Sequence, residues 1–362
     1  MGPGQGVTIE NVTITSLTDH VSTPGFINIR VEDSTGGMTI FGGDELTKHI
    51  SSLSTGDVVT VSGVTSSFNG LFLINSHVSN PIPFSISKPL STNGPVLPAE
   101  VLAEDFRSFT IRAELLESRL VLLDNVSFLA DGPSQPGQLF LGEANYTVTD
   151  GVTEVEVRIS TDEVAAALGR VPDEPVQLIG VFNQFTFAFQ ALDGYQLQLT
   201  KILPVDTQLH YCESVDVYRG LPLSGGLHET QASDDRDFVI NPGFTLVNTE
   251  PPVKLVFAST LSNTPTELLL NLETSVNTPG LKRIVELFDF SADQFVPISS
   301  EAGSFDTDFI STIDMSQGSS EIGNFINVKA NQVIARVSWK VAGFTIVFPW
   351  AVTIDDIHWQ SR

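Results

Sequence analysis

The sequence predicts an all-β protein in three domains: two copies of one small five-stranded barrel, then an antiparallel β-sandwich. Three observations carry that prediction. Runs of Val, Ile, Thr and Phe alternate with turns, in a chain holding 24 Phe, 28 Gly and 20 Pro, the composition of short strands. A stretch of the first half recurs further along at a nearly constant offset. Beyond residue 214, strand follows strand with almost no helical spacing. At 362 residues the chain exceeds what one core holds, since cores stop growing near about 250–300 residues.

The repeat orders the first half. Ile9-Glu10-Asn11-Val12-Thr13-Ile14 matches Leu123-Asp124-Asn125-Val126-Ser127-Phe128. Ile29-Arg30-Val31-Glu32-Asp33 matches Tyr146-Thr147-Val148-Thr149-Asp150, each before a Gly-containing turn. Met38–Phe41 answers Val155–Ile159, and Val59–Val64 answers Val176–Val181. Asp33 and Asp150, Gly63 and Gly180, and Phe68 and Phe185 all stand 117 residues apart.

A helical period follows the third strand of each copy. Leu46, Ile50 and Leu53 share one spacing with Val164, Leu168 and Val171, which puts an apolar stripe on a short helix. Asp44 is the expected cap of the first helix, and Ser160 with Glu163 the capping box of the second. Gly70–Ile74 and Gly194–Leu199 close the copies. Three strands, a helix and two strands is the order of the OB-fold, a five-stranded Greek-key barrel. The blocks are then 1–80 for barrel 1, 81–114 for a connector with a short helix near Glu100–Phe106, 115–204 for barrel 2, 205–213 for a linker, and 214–362 for the sandwich.

Glu32–Gly37, Gly56–Gly63 and Leu120–Val126 carry a resemblance. Residues 1–204 resemble the tandem OB-fold modules of secreted bacterial proteins, often found near extracellular nucleases or on large surface proteins. The resemblance implies an accessory role and brings no catalytic residues.

In the last block, strands are expected at Val253–Phe257, Glu267–Glu273, Arg283–Phe290, Phe325–Lys329, Val333–Val341 and Thr345–Ile354. In Val333–Val341 the odd positions are apolar while Arg336, Ser338 and Lys340 occupy even ones, so one face is buried. Pro349 marks a bend, a bulge or an edge. Asn277–Leu281, Arg336–Lys340 and Phe348-Pro349-Trp350 are similar to a C-terminal β-sandwich module of large secreted bacterial proteins.

The formal charge is −25, from 43 acids against 18 bases. Both parts are acidic: 25 acids against 9 bases in residues 1–213, and 18 against 9 in 214–362. Such a chain offers no obvious basic face for phosphates, so nucleic acid is not an expected partner. No run approaches about 18 apolar residues, so no membrane span is expected. The N-terminus has neither the basic nor the apolar region of a signal peptide. The chain is then cytosolic, or a mature form whose signal was removed; the resemblance favours an extracellular or cell-surface setting. Cys212 has no second cysteine to pair with and is read as a packed, inert thiol, with an intermolecular disulfide as the alternative.

Candidate sites are few. Phe182, Phe185, Phe187 and Phe189 form an aromatic run, the last three on one side of a strand, with Phe68 and Phe72 as their counterparts. An outward ladder on an OB-fold stacks sugar rings or bases; an inward one is core. Asp234, Asp235 and Asp237 crowd one loop, as do Asp306 with Asp308 and Asp355 with Asp356. Calcium takes six to eight oxygens from such loops, though a solvated turn explains them too; no other cofactor is expected. His228-Glu229 lacks the second histidine of a zinc protease motif, and no G-x-S-x-G, P-loop or dinucleotide fingerprint occurs. Sequons at Asn11, Asn125 and Asn145 fit the N-glycosylation pattern, which arises often by chance in Thr-rich strands.

The expectation is a non-catalytic structural or assembly protein of the cell surface or matrix, a filament subunit that contacts copies of itself or surface proteins. An accessory module holding polysaccharide or protein on its OB faces is the alternative. Single-stranded nucleic-acid binding comes third.

Overall fold

The computed structural model describes residues 2–18, 26–50, 52–78, 81–87, 89–92, 94, 96–130, 135–187, 192–231, 237–244, 250–262, 265–305, 309–314, 322–327, 329–341 and 350–362, with the backbone alone at 45, 309 and 310. They form two compact units, residues 1–206 and 207–362.

Barrel 1 runs β1 (Gly6–Thr18), β2 (Ile27–Glu32), β3 (Gly37–Gly42), α1 (Asp44–Ile50), β4 (Asp57–Phe68) and β5 (Leu71–Asn75). Its order is β1-β2-β3-β5-β4, closed by β1 pairing β4, with β3 and β5 parallel. Short strands β6 (Ser85–Ile86) and β7 (Ser91–Thr92) add to β4, and β8 (Ala99–Val101) lies parallel to the next strand. After a 3-10 turn at Ala103–Phe106 and α2 (Ile111–Leu116), barrel 2 follows with β9 (Leu120–Phe128), β10 (Ala144–Thr149), β11 (Glu154–Ile159), α3 (Asp162–Leu168), β12 (Val176–Gln184) and β13 (Tyr195–Pro204). The order and closure repeat, β9 pairing both β10 and β12 and β11 lying parallel to β13. This is the predicted OB topology, twice.

The helical stripes do what their spacing implies. Leu46 and Leu53 are buried in barrel 1 and Val164 and Val171 in barrel 2, while Ile50 and Leu168 pack against those cores. The caps differ from expectation. Asp44 is itself the first residue of α1, and the Gly43 carbonyl accepts from Leu46 and Thr47, each at 2.9 Å. The cap of α3 is Thr161, whose hydroxyl accepts from the Val164 amide at 3.3 Å. Ser160 is turned to Gln198 instead (3.0 Å).

Residues 207–362 form two stacked sheets. One has the order β16 (Leu221–Ser224), β17 (Phe238–Asn241), β25 (Val352–Ser361), β19 (Leu268–Val276), β22 (Phe309–Asp314), with β14 (Gln208–Tyr211) on β25. The other runs β15 (Ser214–Arg219), β18 (Val253–Thr260), β24 (Gln332–Val341), β20 (Leu281–Asp289), β21 (Gln294–Ala302), with β23 (Ile326–Asn327) on β24. Val333, Ala335, Val337 and Trp339 of β24 are buried between the sheets with Trp350 and Trp359, as alternation requires. Cys212 is buried there too, and burial pushes its thiol up to about 12.

The strand expected over Phe325–Lys329 shrinks to β23, preceded by a 3-10 turn at Ile322–Phe325. The Asn327 side chain explains the break, accepting from the amides of Lys329 (3.1 Å) and Ala330 (3.3 Å) and holding the chain in a turn. Of the strand expected over Thr345–Ile354, residues 345–349, Pro349 among them, lie outside the described residues; Val352–Ile354 open β25, which runs on to Ser361.

Candidate functional site

The alternation that buries Ile27, Ile29 and Val31 in barrel 1 turns Asn28 and Arg30 to the opposite face. Register extends this face in rows. Asn28 stands opposite Phe41, and Phe41 opposite Asn75; Arg30 stands opposite Thr39, then Leu73, then Ser66. Barrel 2 presents a second face, with Arg158 beside Gln198 and Gln196 beside Asn183.

These faces line a cavity of about 380 Å³, within the range of small-ligand sites. Six carboxamides reach it: Asn28, Asn75, Asn183, Gln184, Gln196 and Gln198. Ser66, Ser67 and Ser160, two guanidiniums (Arg30 and Arg158) and an apolar set of Phe41, Phe68, Phe185, Leu71 and Leu73 complete the lining. No carboxylate, histidine or cysteine of the described residues lines it.

The two faces are tied together. Gly70 and Phe185 form a β-bridge, and the Thr186 amide donates to the Asn69 carbonyl at 2.7 Å. Gly70 has φ +94°, and a Cβ there would come within 2.7 Å of the Gln184 side chain, so both its conformation and its space call for glycine. Deeper in, Arg30 donates through Nη2 to Gln198 Oε1 at 3.0 Å and through Nη1 to Thr39 Oγ1. Gln198 Nε2 donates to Ser160 Oγ at 3.0 Å, and Thr39 Oγ1 lies 2.6 Å from Ser118 Oγ. Burial lowers the Arg30 guanidinium to about 10, opposed by the Glu117 charge. Burial pushes Glu117 up to about 7, against the Phe72 amide that donates to it at 2.7 Å.

The other cleft groups are less engaged. Among the described residues, no side-chain hydrogen bond is formed by Asn28, Ser66, Ser67 or Gln196, and Gln196 is only 4% exposed. None of the four is among the buried side-chain polar atoms left without a partner, so their donors and acceptors are open to solvent or to a ligand in the cleft. A carboxamide both donates and accepts, which suits a hydroxyl-rich ligand. A phenyl face suits the C–H face of a ring.

Phe68 and Phe185, singled out by the sequence, both line the cleft, 63% and 42% exposed. They sit near the ends of β4 and β12, at matching points of the repeat. Phe187 is 87% exposed and meets Phe185 edge-on at 5.2 Å, outside the lining. Phe72 belongs to the other side of β5 from Leu71 and Leu73 and does not line the cleft. Phe182 is core, stacked on Phe106 at 4.3 Å. Phe189 lies outside the described residues, as do Asp234 and Asp235; Asp237 is half-buried. Among the described residues no three His, Cys, Asp or Glu side chains gather as a metal would require. The carboxamides are not legible as a site in the sequence. Tyr195-Gln196-Leu197-Gln198-Leu199 shows that Gln alternates with Leu, but not that a second barrel stands over the Gln face.

No family model matches the chain, and no curated protein matches it. Among solved structures it is similar to the tandem CBM22-1–CBM22-2 domain of Paenibacillus barcinonensis Xyn10C, at 9% identity and TM-score 0.27, covering 99% of this chain and 95% of that one. It is similar also to SGBP-B from a complex xyloglucan utilization locus in Bacteroides uniformis (12%, TM-score 0.27, 98% and 100%). A third likeness is to the Ifi202 HINa domain in complex with 20-base-pair double-stranded DNA (10%, TM-score 0.30, 56% and 98%). Carbohydrate-binding modules and OB-like domains thus stand together among the neighbours, and at these scores neither carries its ligand over.

Proposed function

We propose that residues 1–206 form a non-catalytic binding module that holds polysaccharide in the cleft between the barrels, in an extracellular or cell-surface setting. One observation carries the reading: a cavity lined by six carboxamides and three phenyl rings, without a proton-transfer group of the kind acid–base catalysis uses. Phe68 and Phe185 supply ring faces, and Asn28, Gln196 and Ser66 supply unspent hydrogen bonds to hydroxyls. This replaces the filament subunit as first choice. The assembly reading keeps an open edge at β16, whose four residues are all exposed, but Pro222 within it cannot donate to a neighbouring strand.

Affinity electrophoresis through gels containing soluble polysaccharides tests the proposal. Retardation by at least one polysaccharide is expected, lost in Phe185→Ala and in Gln196→Ala. Equal mobility in every gel, or retardation indifferent to both substitutions, would overturn it.

A further inference from the structure

We propose that the saccharide bound in the cleft is an acidic one, and that Arg158 pairs with its anionic group; this rests on the glycan reading above. The first ground is the charge of the lining. Acids outnumber bases 43 to 18 in the chain, yet the cleft collects two guanidiniums and no carboxylate. A neutral glycan needs no such segregation, because carboxamides and hydroxyls bind its hydroxyls alone.

The second ground is how the two guanidiniums are used. Arg30 is fully buried and spends its donors on Thr39 and Gln198, so it fixes the Gln198 amide. Arg158 is different. It lines the cleft half-buried, and among the described residues its hydrogen bonds run through Nη1 alone, to the Glu143 carbonyl (2.6 Å) and Asn145 Oδ1 (3.0 Å). Nη2 and Nε keep their donors, and no described carboxylate forms an ion pair with the group. A guanidinium held by one nitrogen, with the three N–H groups of the other two nitrogens unspent, presents the fork that carboxylates and sulfates take in a bidentate grip. Gln198 stands beside Arg158 in register, its amide already engaged by Arg30 and Ser160. Glu156, beside Gln196 in register, lies outside the lining.

Single-stranded nucleic acid also combines anions with stacking faces, but it is gripped along a track of many basic groups. Two guanidiniums in a cavity of about 380 Å³ fit a ring or two with one acid group.

The test uses the full chain in gels containing polygalacturonate, alginate or hyaluronate, each beside its carboxyl-reduced form, with dextran sulfate beside dextran to separate sulfate from carboxylate. A single-stranded oligonucleotide is titrated in parallel. Retardation is expected by at least one acidic polymer, at least tenfold weaker after reduction or with the neutral dextran. Arg158→Gln is expected to lower retardation by the acidic polymer at least tenfold, to the level of its carboxyl-reduced form, with its melting temperature as the check on folding. Retardation by neutral polymers alone, or preference unchanged by Arg158→Gln, overturns the acidic ligand and leaves the glycan reading standing. No retardation in any gel overturns both. Salt-sensitive oligonucleotide binding without glycan binding would replace them with a nucleic-acid site.

Discussion

Arg30 of barrel 1 and Gln198 of barrel 2 are joined by a hydrogen bond of 3.0 Å in the interior of the first unit, 168 residues apart in sequence. The guanidinium is fully buried, and a buried charge is tolerable only while its donors are satisfied. The link therefore couples the integrity of one barrel to a side chain of the other and sets one wall of the cleft.

Gln198→Leu should destabilise the first unit by about 3 kcal/mol, because it strands a buried guanidinium donor. Adding Arg30→Met should recover part of that loss, as removing both partners is gentler than removing one. Calorimetric unfolding of the four variants checks this. An additive double variant would contradict the coupling.

Asn11 and Asn125 occupy the same bulge of the two barrels, with φ of 57° and 52°. In each barrel the register slips across the bulge, between Ile9 and Val12 against β4 and between Leu123 and Val126 against β12. Asparagine enters this left-handed region readily and β-branched residues do not. Asn125→Gly should be nearly neutral, whereas Asn125→Val should cost about 1–2 kcal/mol. Thermal melts of the two variants decide it. The bulge also gives a structural reason for the asparagine of both sequons.

Glu117 makes stability depend on pH. Its folded carboxyl, raised to about 7 from an ordinary 4.5, holds its proton longer than the unfolded one. The native state then binds more protons between about pH 4.5 and 7, so stability falls as pH rises through that window. Asp33, held below the ordinary carboxylate range by hydrogen bonds from Thr35 and Gly36, acts oppositely and loses its contribution as pH falls through its folded value. Urea midpoints for the first unit should peak at about pH 4, between the two losses. Glu117→Gln, which keeps an oxygen for the Phe72 amide, should flatten the decline on the alkaline side of that peak.

Cys212 should stay silent to thiol reagents at about pH 8, since it is 1% exposed and its thiol is pushed up to about 12 while the thiolate is the reactive form. Labelling should appear only with unfolding of the second unit, followed by mass spectrometry across a urea series. Rapid native labelling would show that the sandwich opens there.

The barrels are legible because their period and turn chemistry are local. Alternation buries Ile27, Ile29 and Val31 or Val333, Ala335, Val337 and Trp339 whatever surrounds them, and the 117-residue spacing of Gly63 and Gly180 marks equivalent strands. Edge strands such as β16 and β21 are not, because an edge carries no buried face and so no apolar rhythm. Part of the cleft wall is visible as well, since Phe68 and Phe185 are aromatics at matching positions of the repeat.

What the linear chain determined is therefore the class of fold, the duplication and the ring faces of Phe68 and Phe185, all properties of residue type and spacing. Only tertiary structure decided that Asn28, Gln196 and Arg158 share a cavity while Phe72 and Phe187 do not. A carboxamide on an outward face reads as ordinary surface until another barrel covers it, and that covering depends on contacts between residues far apart in the chain.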